Sequence, residues 1–455
     1  MTETILVPFD GEGSGIEDLT WGQIGLWQAM RGNGRSRTMG GVAPMPPGGT
    51  LAQAADALRF VMSRHQALRT RLVFDADGTA KQSCSTSGDV PLQVIDADGE
   101  DPAHVAEQVL LDFQDRNFDY EHEWPVRTAV IRAGGQLTHV VTVYLHLVID
   151  ADGLGVLMAD LAARDPVTGE AAAPVTATPP LEQARQQHTP AVQRQGTASL
   201  RHLERVFRTM SPDRFGEPKY PADGFRQMKY HSPATLLAIR ATATKQGVNT
   251  ASVLLATFAV GLARFTGNSP VMAWLMVNNR FRPGFADSVS ALVQISPFLI
   301  DVTDTSLGDT VIQARGGAMS AYKNAYYHPD LQDDLIDAIN AERGVTVDYS
   351  CFYNDRRQGD RDPVGRRTPT EDEIIAAVER SEHEREDEPG LPRQKLYFHV
   401  DDPPGAIDFT MSVDTRYFSE DDMVTILRNM EDVAVTTALD PTAPTGVRSG
   451  VTAHA

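Results

Sequence analysis

The strongest hydrophobic pattern in the first half of the chain lies at residues 140–149, where apolar side chains occupy both sets of alternating positions. In an extended strand, neighbouring side chains point to opposite faces, so His146 would share a face with Tyr144, and Leu145 would lie opposite. Apolar residues on both faces are typical of a central strand that is covered on both sides. The pattern therefore predicts a buried strand ending in a histidine and a tight acidic turn.

Helical spacing of apolar residues predicts three helices, at residues 18–30, at 50–62 with Thr50 as the N-cap, and at 250–265 before Gly267. Buried or alternating strands are predicted at residues 271–277, 292–302, 346–353, 395–400 and 407–413. Residues 162–180 are rich in Ala, Pro, Thr and Gly, which predicts an irregular linker. Residues 356–390 are highly charged, with a capping-box pattern at Thr370, and predict an exposed insertion that is a candidate lid.

One hexapeptide, Val-Ile-Asp-Ala-Asp-Gly, occurs twice, at residues 94–99 and 148–153. Asp and Gly supply turns after strands, and both copies lack the further ligands of a calcium loop. Only the second copy has a histidine, His146, four residues before its first aspartate, Asp150. A lone histidine at the end of a strand is either a satisfied core residue or a catalytic one, and the pattern alone favours the core reading.

Composition limits the classes of function. With 41% hydrophobic and 22% charged residues, the chain is typical of a globular protein, and it has no apolar run long enough to span a membrane. The net charge of −20 argues against nucleic acid, since phosphate binding relies on clustered Lys and Arg. Two cysteines are too few for a disulfide framework or a metal motif, and no signal peptide is visible, so we expect a cytoplasmic protein.

Several familiar catalytic motifs are absent from the sequence. It has no Gly-rich phosphate loop with Lys, no dinucleotide-binding glycine fingerprint, no Gly-x-Ser-x-Gly elbow and no zinc-binding histidine pair. A site centred on the single histidine His146 is therefore the best catalytic candidate.

Six segments resemble the motifs of one family, the condensation domains of nonribosomal peptide synthetases, which belong to the chloramphenicol acetyltransferase-like superfamily. The resemblance covers nearly the whole chain. Its most specific part is Arg-His-Gln-Ala-Leu-Arg-Thr-Arg-Leu at residues 64–72. The family's active-site motif is His-His-x-x-x-Asp-Gly, and residues 146–150, His-Leu-Val-Ile-Asp, resemble it. The six segments are residues 19–27, 64–72, 118–127, 146–150, 279–283 and 290–302.

The resemblance implies an α/β fold (an α+β sandwich) with two acetyltransferase-like lobes, which form a V-shaped pseudo-dimer with the active site between them. The lobes would be residues 1–175, with the His146 motif, and residues 176–455, with the charged insertion near 356–390. The family function is to join an acyl or aminoacyl thioester on a carrier protein to an amine, or less often an alcohol. The sequence has no room for an adenylation domain and no Gly-Gly-x-Ser attachment site of a carrier protein. By resemblance, we therefore expect a stand-alone condensation enzyme of secondary metabolism.

The resemblance assigns catalysis to His146 and structural support to Asp150, paired with Arg280. Backbone N–H groups at Gly153 and Gly155 would stabilise an oxyanion or form the turn. It implies no metal and no permanently bound cofactor; the co-substrate is a phosphopantetheine thioester, on a carrier protein or on coenzyme A. We expect a monomer whose partners are a carrier protein and a small amine or alcohol, with no nucleic acid and no membrane.

The sequence departs from the family pattern at several positions. Leu145 replaces the first histidine of the active-site motif, and Ala151 replaces the glycine after the aspartate. Because Leu145 and His146 would point to opposite faces, the first change need not disarm the site. A Cβ at Ala151 is able to restrict the backbone or the approach of a substrate.

Two other functions stay open at this stage. One is acyl transfer from coenzyme A, which other members of the superfamily perform. The other is a catalytically idle scaffold that recruits another biosynthetic enzyme, which the altered motif keeps in play. Retention of His146 and Asp150 favours catalysis.

Overall fold

The computed structural model describes residues 2–165, 168–221, 224–357, 367–386 and 394–448. The chain divides into two units, and neither is continuous in sequence. Unit 1 comprises Met1–Gly196, Asn278–Gln294 and Tyr326–Pro329, and unit 2 comprises Thr197–Val277, Ile295–Ala325 and Asp330–Ala455. The predicted lobe boundary between residues 175 and 176 stays a prediction.

Unit 1 contains two sheets, of strand order β1-β6-β7-β8-β3 and β2-β5-β4, with helices around them. A short 3-10 turn joins its second helix to β4, and a long helix, α6, begins in unit 1 and ends in unit 2. The elements are β1 Thr2–Asp10, β2 Gly15–Asp18, α1 Trp21–Asn33, β3 Thr38–Pro44, α2 Leu51–Arg64, β4 Thr70–Phe74, β5 Ala80–Cys84, β6 Ser87–Asp96, α3 Pro102–Asp115, β7 Val126–Ala133, β8 Gln136–Leu145, α4 Ala151–Ala163, α5 Pro180–Gln187 and α6 Pro190–Thr209.

Strand β8 is the predicted buried strand, and the structure confirms it. It lies between β7 and β3 and pairs antiparallel with both. Tyr144 packs in one apolar cluster with residues of α2 and α4, while Leu145 packs in another with residues of α1 and α3. Alternating side chains of β8 thus enter two cores, which explains why both of its faces are apolar.

Unit 2 is built on one seven-stranded sheet of order β11-β10-β12-β14-β15-β9-β13. One apolar core holds residues of this sheet together with residues of helices α7, α8, α9 and α12. The elements are β9 Phe225–Ser232, α7 Pro233–Gln246, α8 Thr250–Thr266, β10 Val271–Val277, β11 Gln294–Ile300, α9 Leu307–Lys323, α10 Pro329–Arg343, β12 Cys351–Asp355, α11 Glu371–Val378, β13 Glu382–Glu386, β14 Leu396–Asp401, β15 Ile407–Asp414 and α12 Glu420–Leu439.

The predicted helices are confirmed, with two caps where they were expected. Thr50 accepts a hydrogen bond from Gln53 N in a capping box before α2, and Gly267 ends α8 in the left-handed conformation. Helix α1 begins later than predicted, after the N-cap Thr20. Between α4 and α5, the described residues 164–165 and 168–179 form no helix or strand, as the linker prediction requires.

Most predicted strands of unit 2 are confirmed, with shifted ends. Strands β10, β14 and β15 match residues 271–277, 395–400 and 407–413 closely. Strand β11 is shorter than the predicted 292–302, and β12 begins at Cys351 rather than at residue 346. Propensity reasoning is least reliable at such element ends.

The described part of the charged stretch belongs to the fold of unit 2. Helix α11 buries Ile374 and Ala377, and β13 pairs antiparallel with β9 at the edge of the sheet. The residues of β13 are largely exposed and charged, which suits an edge strand. This attachment does not favour a lid, and residues 358–366 and 387–390 lie outside the described residues.

Within the described ranges, no single helix combines the length and apolar character of a membrane span. The consecutive helices α7 and α8 meet that test only together, and they are bent by 115° relative to each other.

Candidate active site

His146 follows the last residue of β8 and is half-buried. Its backbone N–H donates to the carbonyl of Arg37 at 2.8 Å, and its Nδ1 lies 2.8 Å from the carbonyl oxygen of Ile149. Because a carbonyl oxygen only accepts, Nδ1 must carry the proton of the neutral ring. The lone pair of the neutral imidazole is therefore on Nε2, the atom that can accept a proton from a substrate.

The charge state of His146 follows from its surroundings. Burial lowers its pKa below the usual 6.5, and the positive charge of Arg37 acts in the same direction. The hydrogen bond to Ile149 and the negative charge of Asp150 oppose this shift. Because the pKa is lowered on balance, the ring is neutral at neutral pH, which is the form that a general base requires.

Asp150 is fully buried, and its carboxylate accepts hydrogen bonds from two backbone N–H groups and pairs with one arginine. As the N-cap of α4, it accepts a hydrogen bond from Gly153 N at 2.8 Å. Its other oxygen accepts from Leu292 N at 3.0 Å, and it forms an ion pair with Arg280. The carboxylate thus joins the start of α4 to a segment far along the chain.

Arg280 completes this connection, and the structure brings together the two residues that the sequence paired. Its side chain is 10% exposed, and that of Asp150 is 1% exposed. The second guanidinium nitrogen, Nη1, donates to Ser288 O at 2.7 Å. Both partners of the ion pair are therefore held by further hydrogen bonds, as a buried pair needs.

Two asparagines to which the sequence analysis gave no role, one of them in the 279–283 motif, also connect these segments. Asn278 Nδ2 donates to Asp152 Oδ2 at 3.0 Å. Asn279 is buried with a positive φ of 57°, and its Nδ2 donates to Leu292 O at 3.1 Å. Asn tolerates the left-handed region better than most residues, which suits Asn279 to this backbone position.

The predicted tight turn at residues 150–153 is wrong, because α4 begins at Ala151 and includes both glycines. The N–H of Gly153 is directed at the carboxylate of Asp150, and Gly155 lies within the helix, where N–H groups bond to carbonyls four residues back. The geometry therefore does not favour either glycine as an oxyanion donor. Gly153 has a packing role instead, since a Cβ there would lie 3.1 Å from Asp150 Oδ1 and 3.2 Å from Arg280 Nη2.

The two departures from the active-site motif have simple local explanations. Leu145 is 4% exposed and fills the apolar cluster on the face away from Tyr144. Ala151 is the first residue of α4, is exposed, and has no positive φ. A Cβ at this helical position therefore causes no backbone strain.

Among the described residues, no group of three or more His, Cys, Asp or Glu side chains has a metal-binding arrangement. Cys84 and Cys351 are free and buried.

The family model of the Condensation domain matches residues 46–449, which is most of the chain. The protein therefore belongs to the condensation domain family. A comparison with curated proteins found no match.

Several solved structures share the fold of this chain at low sequence identity. The condensation domain that mediates chain release from the enacyloxin polyketide synthase is 19% identical, with a TM-score of 0.70 over 98% of this chain and 86% of that one. SgcC5 from Streptomyces globisporus is 18% identical, with a TM-score of 0.67 over 94% and 100%. The X-domain of teicoplanin biosynthesis, in complex with OxyB, is 17% identical, with a TM-score of 0.68 over 96% of each chain. The predicted mixed α and β fold is confirmed.

Proposed function

We propose that the protein is an acyltransferase that joins a phosphopantetheine-linked acyl or aminoacyl thioester to an amine or an alcohol. The observation that carries this proposal is the hydrogen bond between His146 Nδ1 and Ile149 O, at 2.8 Å. It places the proton of the neutral ring on Nδ1 and leaves Nε2 as the acceptor. Membership of the condensation domain family supports the same reaction class.

In the proposed step, the nitrogen or oxygen of the acceptor attacks the thioester carbonyl. The new N–C or O–C bond forms, and the C–S bond breaks. Nε2 of His146 takes the proton from the nucleophile and returns it to the departing thiolate, so that the products are an amide or ester and a free thiol. No metal or bound cofactor takes part in this step.

Asp150 and Arg280 would support this chemistry without contacting the substrate. Their ion pair and the bond from Asp150 to Leu292 N fix the start of α4, which follows His146 by only a few residues. Ile149, whose carbonyl orients the imidazole, is adjacent to Asp150 in the sequence and fully buried. Displacing Asp150 would therefore disturb the ring through its hydrogen-bond acceptor.

The donor carrier is a carrier protein or coenzyme A, which present the same thioester. The carrier protein is the form that the family uses, and the cytoplasm is the compartment we propose.

A second candidate function is a scaffold without activity, which the similarity to an X-domain bound to OxyB favours. The retained hydrogen-bonded His146 favours catalysis over this alternative.

The decisive variant is His146→Ala. The protein is mixed with carrier protein loaded with a panel of acyl groups, or with the same acyl groups on coenzyme A, and with candidate amines and alcohols; products are read by intact mass. We expect His146→Ala to lower kcat by about 100- to 10,000-fold, the usual contribution of a general base.

His139→Ala is the matched control, since His139 lies on the same strand, half-buried, and contacts Thr138 rather than the site. It should keep wild-type turnover. A His146→Ala protein as fast as wild type would refute the catalytic role. A wild-type protein that transfers no acyl group from either carrier would favour the scaffold.

A further inference from the structure

Arg37 is the cross-strand neighbour of His146. Strands β3 and β8 pair antiparallel with Thr38 opposite Leu145, so the next pair in register is Arg37 with His146. The bond from His146 N to Arg37 O at 2.8 Å continues the ladder by this one pair. Side chains of directly opposed residues lie on the same face, with Cβ atoms about 4.5–5.5 Å apart.

The neighbouring side chain independently supports this direction. Ser36 Oγ lies 2.9 Å from Tyr120 Oη and accepts a hydrogen bond from Phe118 N at 2.9 Å. Because successive side chains of an extended chain point to opposite sides, Arg37 faces away from Tyr120 and toward the side of His146. The effect of its charge on the pKa of His146 agrees with this placement.

Among the described residues, no carboxylate pairs with the Arg37 guanidinium. Arg35, two residues earlier, pairs with Asp115, and Arg280 pairs with Asp150. In the part of the chain that the structure describes, Arg37 forms no ion pair, although it is half-buried in a chain of net charge −20. A guanidinium stays charged at any physiological pH, so a half-buried one without a counter-ion is suited to bind an anion from outside.

We propose that Arg37 binds a free carboxylate of the acceptor, placed close to the acceptor's own nucleophilic group. The proposal rests on the function proposed above, in which His146 receives the proton of that nucleophile. A carboxylate is the planar anion that a guanidinium binds with two parallel hydrogen bonds. Because Arg37 and His146 are opposed across the strands, we expect the carboxylate and the nucleophile to belong to one small molecule, as in an amino acid or a hydroxy acid.

This assignment distinguishes two kinds of acceptor. A free amino or hydroxy acid carries the negative charge that Arg37 would bind. The same acceptor loaded on a carrier protein has that carboxyl group converted to an uncharged thioester. The phosphate of the donor arm is separated from its thioester by the whole pantetheine chain, so it does not reach the reacting carbon. The inferred acceptor is therefore a soluble acid.

The test compares acceptors in the free-acid and blocked forms. The common amino acids, their methyl esters and their carrier-bound thioesters are offered with an acyl-loaded carrier protein to wild type, Arg37→Gln, Arg37→Lys and Arg35→Gln. For the preferred free acid, we expect Arg37→Gln to raise KM by about 10- to 100-fold, the loss of a charge-assisted hydrogen bond, with kcat changed only a few-fold. Arg37→Lys should restore part of the loss, and Arg35→Gln should behave as wild type.

Each substitution leaves the Arg37 carbonyl, and hence its bond to His146 N, in place. Equal use of the methyl ester or carrier-bound form by wild type, or an equal loss with both forms in Arg37→Gln, would overturn the inference. The inference would also be overturned if the loss of activity in Arg37→Gln depended on a carboxylate of the donor acyl group rather than on a carboxylate of the acceptor.

Calorimetry separates this inference from the proposed function. His146→Ala, titrated with the same amino acids, should still bind the preferred acid, and adding Arg37→Gln should abolish binding. Carboxylate-dependent binding without any acyl transfer would refute the proposed function and leave the anion site standing. Acyl transfer with no carboxylate-dependent binding would refute the anion site alone.

Discussion

At the scale of single residues, the site depends on which atoms surround one imidazole. The carbonyl of Ile149 selects the tautomer of His146, and burial with the nearby charge of Arg37 keeps the ring neutral. Asp150 does not contact the ring in the way a catalytic carboxylate would, since its oxygens are used by Gly153 N, Leu292 N and Arg280. The tautomer of the base is therefore set by Ile149, while burial is the main cause of its neutral charge state.

The pKa of His146 should be measurable directly by NMR titration of its imidazole signals, assigned with His146→Ala. We expect a value below 6.5, because burial disfavours the charged ring. The ring is then neutral above this pKa and becomes protonated as the pH falls through it, which blocks Nε2.

Arg37→Gln should raise the pKa of His146, since it removes a positive charge that lowers it, and Arg35→Gln should leave it unchanged. A titration above 6.5 in wild type would contradict the environment described for the ring.

Some of these residues were readable from the sequence and others were not. His146 and Asp150 stand in a fixed motif after a strong strand pattern, so both could be named. The roles of Arg37, Asn278 and Asn279 depend on strand register and on contacts between distant segments, which leave no periodicity in the chain. Departures from a motif were also ambiguous, because only the structure shows that Ala151 is helical.

At the scale of elements, the start of α4 shows how context decides local structure. The hexapeptide Val-Ile-Asp-Ala-Asp-Gly occurs at residues 94–99 and 148–153. In the first copy, Asp98 and Gly99 adopt positive φ angles of 48° and 94° after β6. In the second copy, the same letters form an N-cap and the first helical residues. Turn propensity predicted the first copy correctly and failed on the second, where Asp150 meets Arg280.

The two glycines of α4 give a matched pair of substitutions. Gly155→Ala places its Cβ in open space on an exposed helical position, so we expect stability to rise by about 0.5–1 kcal/mol. Gly153→Ala gains the same helix propensity but places its Cβ against Asp150 and Arg280, which are buried and held in place. We expect this close contact to cancel the gain in stability and Gly153→Ala to have lower acyl-transfer activity.

Thermal unfolding and turnover of both variants test this difference. If Gly153→Ala were as stable and active as Gly155→Ala, the site would be less tightly packed than the structure indicates.

At the scale of the whole molecule, unit 1 is assembled from three separate stretches of chain. Arg280 and Asp150 are 130 residues apart in sequence, yet they form one of the most buried ion pairs of the described residues. The individual strands and helices were predictable from local patterns, whereas this assembly was not. The segment at residues 278–294 has little regular structure, so only its motif pointed to the site.

Arg280→Met should destabilise the protein by about 3–5 kcal/mol, because it leaves the Asp150 carboxylate buried without its counter-ion. Adding Asp150→Asn should recover part of that loss, since the amide is neutral and still caps a helix. Urea unfolding of the two single variants and the double variant measures this coupling.

Arg59→Met is the control, because Arg59 and its partner Asp56 are both about half exposed, and such pairs contribute less than about 1 kcal/mol. Additive effects of the Asp150 and Arg280 substitutions would contradict a direct interaction.

The divided sequence of unit 1 also has a consequence for its synthesis. A ribosome that makes about 5–20 residues per second needs roughly 7–26 s to add the 130 residues from Asp150 to Arg280. During that interval, the nascent chain contains β8, His146 and the sequence of α4, but not the arginine or the Leu292 amide that hold Asp150. We expect His146 to acquire its final surroundings only after helices α7 and α8 of unit 2 have been synthesised, because both precede Arg280 in the chain. The site is therefore completed late, although its histidine is made early.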